Sequence, residues 1–468
     1  MSVTPISNTE NFLKNLQANI VKGHGRKFAY HLFFKFNDGH AFALKEWITK
    51  FAVEKITSAH EQLEKTKLFK SGAIADGGTI LTLSLSASGY KNLGIKSQQT
   101  HEAAFDAGMK SRATLLADNL ADWEESFTGD IDMLIIVADD KNEKASHAAQ
   151  HIITELAGKA TLLLKQKGNV LKTKSGMGIE HFGYADGISQ PLYLDSDISG
   201  QHSTNEWNDA TDRGLLLVKD AAATAPDSFG SFLVFRKLEQ NVADFKRSEG
   251  DDDGVPGVAT PVLDVSGAKN KELSGAMIVG RFENSVPVVK SSTGQQTNPP
   301  ATTNDFDYRD DHLASKCPFH AHIRLMNPRN GDAIAGDVSD HRITRRGIPY
   351  DEIGRIPENR ITTISDDLLD NNQPTSGVGL LFMCYQSSIQ NQFEILQGIW
   401  ANTGQIGLHH IPGNDSVISQ GPAMSKTLPV QWGKAPQSSP FTFGKFVTMK
   451  GGEYFFTPSL SFLRALQP

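Results

Sequence analysis

The chain reads as an α+β protein, and three observations predict it. Short apolar runs alternate with stretches of helical spacing, a strand-then-helix opening occurs once in each half, and side chains alternate within several runs. That pattern places one face of each sheet under helices. In order, residues 29–36 form a strand-like run with Phe33, Phe34 and Phe36, and 41–48 follow with helical spacing. Residues 79–85 are strand-like ahead of a short helix at 87–93, and the apolar run 133–138 precedes a helical stretch from 144 to 157. The second half opens in the same way, with 231–238 and then 242–246; later, 379–385 precede a helix over 391–400. Periodicity alone leaves the topology open.

A length of 468 residues exceeds one ordinary core, and about two or three domains are expected. The boundary is drawn near 227, before the second opening, giving 1–227 and 228–468. Three segments, 197–211, 248–257 and 290–303, are rich in Ser, Thr, Asn and Gly and poor in core-forming residues. They are expected to be surface loops.

Bulk composition excludes several function classes. A net charge of −7 without a basic run argues against a nucleic-acid partner. No segment approaches the ~20 apolar residues of a membrane helix, and residues 1–14 show neither a secretory nor a twin-arginine leader. Cys317 and Cys384 are the two cysteines, too few for a disulfide framework and without metal-ligand spacing. A soluble, cytoplasmic protein is expected.

The chemistry concentrates in two places. His181-Phe182-Gly183-Tyr184-Ala185-Asp186-Gly187-Ile188 presents a carboxylate between glycines, which permit close backbone approach to a ligand; the same residues also suit a simple turn. Cys317-Pro318-Phe319-His320-Ala321-His322-Ile323-Arg324 is followed by Arg345-Arg346-Gly347-Ile348-Pro349-Tyr350. Together, in this order, these motifs resemble the dye-decolourising peroxidase family of haem peroxidases. In that family a Gly-x-x-Asp-Gly motif supplies a distal acid, Cys-Pro-Phe-x-x-His-x-Arg the axial histidine, and Arg-x-Gly-x-Pro-Tyr a distal arginine. Further similar blocks lie at 16–26, 105–112, 277–282 and 304–306. Tyr184-Ala185, the extra His320 and the long polar insertions depart from the usual pattern.

The resemblance implies two ferredoxin-like domains, each an antiparallel sheet with helices, enclosing one pocket for haem b. It implies His322 as the axial iron ligand, although residues two apart share a face of an extended segment and geometry alone does not separate it from His320. An axial imidazole donates its other N–H to a carboxylate or carbonyl, and Glu394 is a candidate. Asp186 would be the acid-base group. An ordinary aspartate, titrating near ~3.9, would favour acidic turnover. Arg345, with Arg346 as the alternative, would stabilise developing negative charge. Ile188, Leu380 and Phe382 would line the haem pocket, with Leu380 and Phe382 on one strand face. Arg329, more than Arg324, resembles the contact to the haem propionates. Tyr350 and Trp400 are candidates for a radical relay to bulky surface substrates. His24, His31, His341, His409 and His410 are taken as packing or surface residues.

The implied partners are hydrogen peroxide and organic reductants, including dyes and phenolics; the oligomeric state stays open. A protein that only binds or handles haem would need His322 and a cavity but no acid-base pair. Asp186 and Arg345 speak for catalysis.

Overall fold

The computed structural model describes residues 3–95, 102–173, 176–200, 207, 209–223, 225–249, 270–295, 304–329, 332, 339–355, 373–407, 409–429, 431–434 and 440–466. The first half builds β1 (Phe28–Phe36), α1 (Ala41–Glu54), β2 (Ile80–Leu85), β3 (Met133–Asp139), α2 (Asn142–Leu156) and β4 (Ala160–Asn169). The second builds β5 (Phe229–Gln240), α3 (Val242–Ser248), α4 (Asn270–Val279), α5 (His322–Met326), β6 (Thr344–Arg345), β7 (Ile348–Asp351), β8 (Val378–Gln386) and β9 (Val447–Thr457). A π-helix, Ile389–Ala401, follows β8.

Local sequence accounts for most of these. Every residue of β3 is buried, so its apolar run is unbroken, as expected of a strand covered on both faces. Helix α2 buries Ala145, Ala149, Ile152 and Leu156, a single stripe at helical spacing. Ser388 starts the π-helix by accepting a hydrogen bond from Asn391 N, and Asn241 caps α3 at Asp244 N, each satisfying an amide the first turn leaves free.

Among the described residues, one ten-stranded sheet runs β7-β8-β5-β9-β2-β3-β1-β4, with β6 paired to β8 and the two-residue strand Val218–Lys219 paired to β5. The ladders are antiparallel. Each half repeats one order: second strand, third, first, fourth. The halves meet where Phe456 of β9 pairs with Leu85 of β2, and a single hydrophobic core extends across both. The outer strands β7 and β4 come side by side without a ladder between them. A β-carbon on Gly168 would lie 2.7 Å from Ile348 Cγ2, so the close approach there requires glycine.

Strands β4, β6, β7 and β9 went unread in the sequence. Strand β9 carries Gly451 and Gly452, and its register shifts between Met449 and Gly451; glycine in a strand marks such a bulge and hides the alternation. The expectation that 197–211 is a surface loop is corrected where it can be checked: Trp207, Asp209 and Thr211 are buried. Arginines explain this, since the guanidinium carbons of Arg329 and Arg342 stand 4.5 Å and 4.6 Å from the Trp207 ring centre. Most of 248–257 and the end of 290–303 lie outside the described residues; Ser248 and Glu249 are buried. Among the described residues no helix is long and apolar enough to cross a membrane.

Candidate active site

Alternation along two paired strands makes the floor of a large cavity. On β5, Arg236, Leu238 and Gln240 face it, and on β8, Leu380 and Phe382 do. Register explains the match: Leu380 is opposite Leu238, and Phe382 opposite Arg236. Residues two apart on a strand share a face, and the other face of β5 sends Leu233 and Phe235 into the core.

Asp186 reaches the cavity from a tight turn held by a partly buried carboxyl. Glu180 accepts hydrogen bonds from Phe182 N (2.9 Å) and Tyr184 N (3.0 Å), and the Phe182 ring stacks on Phe245 with centres 3.9 Å apart. Burial pushes Glu180 up to about 7 despite these donors. Arg345, on the short strand β6, donates from Nη1 to Asp186 Oδ1 (2.8 Å) and from Nη2 to Ile188 O (2.8 Å). Gly187 N also donates to Asp186 Oδ1 (2.7 Å). Arg346 points elsewhere. Its Nε and Nη2 each donate at 2.7 Å, to Asn19 O and Ile20 O, and tie down the amino-terminal segment.

His322 lies on the same cavity, at the first residue of α5. Its Nδ1 is 2.8 Å from Asp415 Oδ2. Asp415 is fully buried at its side chain, and its Oδ1 accepts from Val417 N and Ile418 N at 2.7 Å and 2.8 Å. Burial works against this carboxylate, but His322 and the two amides outweigh it and hold the group below its ordinary range. The second imidazole nitrogen, Nε2, makes no hydrogen bond among the described residues. It is therefore available as a donor atom to an iron bound in the cavity. His320 is not: it is buried away from the cavity, with Nε2 3.0 Å from Thr427 O, and burial pushes it down to about 4.

The expectation for Glu394 is corrected. Glu394 forms a bidentate pair with Arg112 at 2.8 Å and 2.7 Å and accepts from the Tyr454 hydroxyl. The partner of His322 is Asp415, on a loop that carries no motif.

One end of the cavity is cationic. Arg281, Arg329 and Arg342 line it together with Trp207, Asp209 and Ser189. Burial pushes Arg281 down to about 9, with Arg329 adding to the effect, and pushes Arg329 down to about 10. Both stay protonated at neutral pH, so this end favours an anionic group. That donor set, with the free Nε2 of His322 and the apolar Ile188, Leu380 and Phe382, fits a haem and its propionates. Arg324 does not take part; it is wholly buried against Asp311 and Asp332.

Trp400 lines the cavity from the π-helix, with the His341 ring edge-on at 5.4 Å. His341, read from sequence as a bystander, therefore also lies on the cavity. Tyr350 is buried on β7, does not line it, and its hydroxyl has no hydrogen-bond partner among the described residues. Neither candidate relay residue is at the surface.

Residues 15–171 match the DyP dimeric alpha+beta barrel domain, and residues 276–407 match the carboxy-terminal region of Dyp-type peroxidases. The multifunctional dye peroxidase DyP2 of Amycolatopsis sp. is 37% identical over 97% of this chain and 96% of its own. Its solved structure superposes with a TM-score of 0.88, covering 99% of both chains. The DyP-type peroxidase of Anabaena sp. superposes at 0.86 with 34% identity, covering 99% of this chain and 97% of its own. A dye-decolorizing peroxidase solved in complex with 2,6-dimethoxyphenol is 27% identical, with a TM-score of 0.75 over 97% of this chain and 99% of its own. With both family regions present in order and relatives matched along nearly its whole length, the chain belongs to the dye-decolourising peroxidase family and is a DyP-type peroxidase.

Proposed function

We propose that this peroxidase binds one haem b in the cavity, reduces hydrogen peroxide and oxidises organic reductants, among them dyes and phenolics. The observation that carries the reading is the Asp186–Arg345 pair at 2.8 Å on the same cavity as the free Nε2 of His322. A relative's complex with 2,6-dimethoxyphenol supports phenols as one substrate class. We also read 1–227 and 228–468 as its two domains.

His322 Nε2 would hold the iron, with Asp415 fixing the ring and its tautomer. Arg329 and Arg281 would pair with the propionates, and Ile188, Leu380 and Phe382 would bound the ring. When bound, haem supplies the two-electron reduction of peroxide. Asp186 takes the proton from one peroxide oxygen and returns it to the departing one, a task that needs a group able to accept and give back a proton within hydrogen-bond reach. Its Oδ1 is occupied by Arg345 and Gly187, which leaves Oδ2 as the acceptor. Arg345 stays charged and nearly fixed by Ile188 O, so it stabilises the separating oxygen with little reorganisation. Trp400, on the cavity, is the proposed aromatic carrier towards bulky donors, with Tyr350, off the cavity and without a hydroxyl partner among the described residues, second to it.

Stopped-flow mixing of the ferric protein with peroxide tests this. Asp186→Asn should slow the reaction by ~10²–10⁴-fold, and Arg345→Leu by ~10²–10³-fold, with haem content retained in both. The losses need not add, since both serve one bond cleavage. Wild-type rates in both variants would overturn the catalytic assignment and favour a haem carrier.

A further inference from the structure

We infer that Tyr184 is a proton-coupled one-electron carrier out of the haem cavity, with Glu249 as its proton acceptor; the inference rests on the peroxidase reading above. Tyr184 is the one tyrosine lining the cavity among the described residues. Its ring is buried, and its hydroxyl donates to Glu249 Oε1 at 2.5 Å. Oxidising a tyrosine without removing its proton creates a cationic radical, which a dry site disfavours. A carboxylate already bonded to the hydroxyl removes that obstacle. Tyr350 has no such partner, its hydroxyl being orphaned, and Tyr454, bonded to Glu394, does not reach the cavity.

The pair is a built feature. Gly275 of α4 packs directly on it, and a β-carbon there would overlap both Tyr184 Oη and Glu249 Oε1. Beyond Glu249 a polar chain leads outwards. Lys246 Nζ lies 2.9 Å from Glu249 Oε2 and 2.5 Å from Glu283 Oε1. Glu283 has 34% of its side chain exposed, whereas Lys246 and Glu249 have 5% and 3%. Burial raises the Glu249 carboxyl above its ordinary range, and Lys246 opposes that shift by favouring the charged form; the Tyr184 hydroxyl already points its proton at Oε1, with the ammonium on Oε2. Burial and Glu249 together push the Tyr184 phenol well above its ordinary range, so it carries its proton until it is oxidised.

The step balances as follows. Hydrogen peroxide is the oxidant and leaves the haem site short of electrons; Tyr184 returns one of them. Its O–H bond breaks, the proton passes to Glu249, and a neutral phenoxyl radical faces a neutral carboxylic acid. A one-electron donor, such as a phenol, then reduces the radical as the proton comes back and the O–H bond reforms.

The test is electron paramagnetic resonance on ferric holoprotein mixed with hydrogen peroxide and frozen, with absorption spectra of the same samples. Wild type should show a tyrosyl signal, and Tyr184→Phe should lose it. Glu249→Gln, which keeps the ring and offers an amide oxygen that cannot take the proton, should lose it as well. A tyrosyl signal of wild-type intensity in either variant overturns the proposal, as does a wild type whose absorption responds to peroxide without any tyrosyl signal. An absorption spectrum unmoved by peroxide in wild type would overturn the peroxidase reading itself, and this inference with it.

Discussion

Asp415 illustrates how one side chain sets the properties of another. Its carboxylate is buried yet held ionised, and it fixes His322 by a 2.8 Å bond at Nδ1. Loss of such an outer partner typically costs ~10–100-fold in metal affinity. Asp415→Asn should therefore release haem faster and bind it ~10–100-fold more weakly, measured by transfer to an excess of a haem-scavenging apoprotein. His320→Ala should bind haem as wild type does, because its nitrogens face Thr427 and the interior and not the cavity. If Asp415→Asn retains haem as wild type does, the bond is incidental to binding. Arg345 and Arg346 make the same point in reverse: adjacent and alike in sequence, they part because successive side chains of an extended segment leave on opposite sides.

Helix α5 spans five residues, far too few to be stable alone, although it carries His322. Arg324 pins it. This guanidinium donates to Asp332 from Nε and Nη2, both at 2.9 Å, to Asp311 Oδ2 at 3.0 Å and to Cys317 O at 2.6 Å. Its carbon also sits 4.3 Å and 4.5 Å from the Tyr308 and Phe319 ring centres. Arg324→Met would leave two buried carboxylates without their cation, a change that costs about 3–5 kcal/mol. Denaturant unfolding should show that loss, and purified variant should carry less haem. An unchanged unfolding midpoint would refute the anchoring role. Opposite it, the π-helix Ile389–Ala401 directs Phe393, Leu396, Gln397 and Trp400 at the cavity, and such windings often occur where function constrains a helix.

Across the whole molecule, titratable groups drawn out of water couple stability to pH. Burial pushes His24 down to about 3, and His31, His181 and His320 down to about 4, against ~6.5 unfolded. Between about 4 and ~6.5 the unfolded chain thus binds protons that the fold does not, so these four groups lower stability as pH falls through that window. Glu180 and Glu453, pushed up to about 7 by burial, act in the opposite sense from about 4.5 to 7. Glu102 and Glu249, also raised by burial, act with them, and Asp415, held low, sides with the imidazoles; with four imidazoles shifted across the whole window, the melting temperature should drop on acidification from pH ~6.5 to ~4. His31→Leu should flatten the drop, since His31 is wholly buried beside Phe235 and burial is the main cause of its low value. A melting temperature constant over that range, or identical slopes in the variant, would contradict this account. The acid and arginine that meet at the cavity and the imidazole that shares it were legible in the sequence because each sits in a short motif with fixed spacing. The strand and helix runs were legible because their periods are local. Tertiary structure alone brought Asp415 to His322 across 93 positions, Glu249 to Tyr184 across 65, and Trp207 between two arginines. Those pairings depend on which surfaces the long-range ladders bring together, and neither periodicity nor motif spacing encodes the distant partner of a single polar side chain.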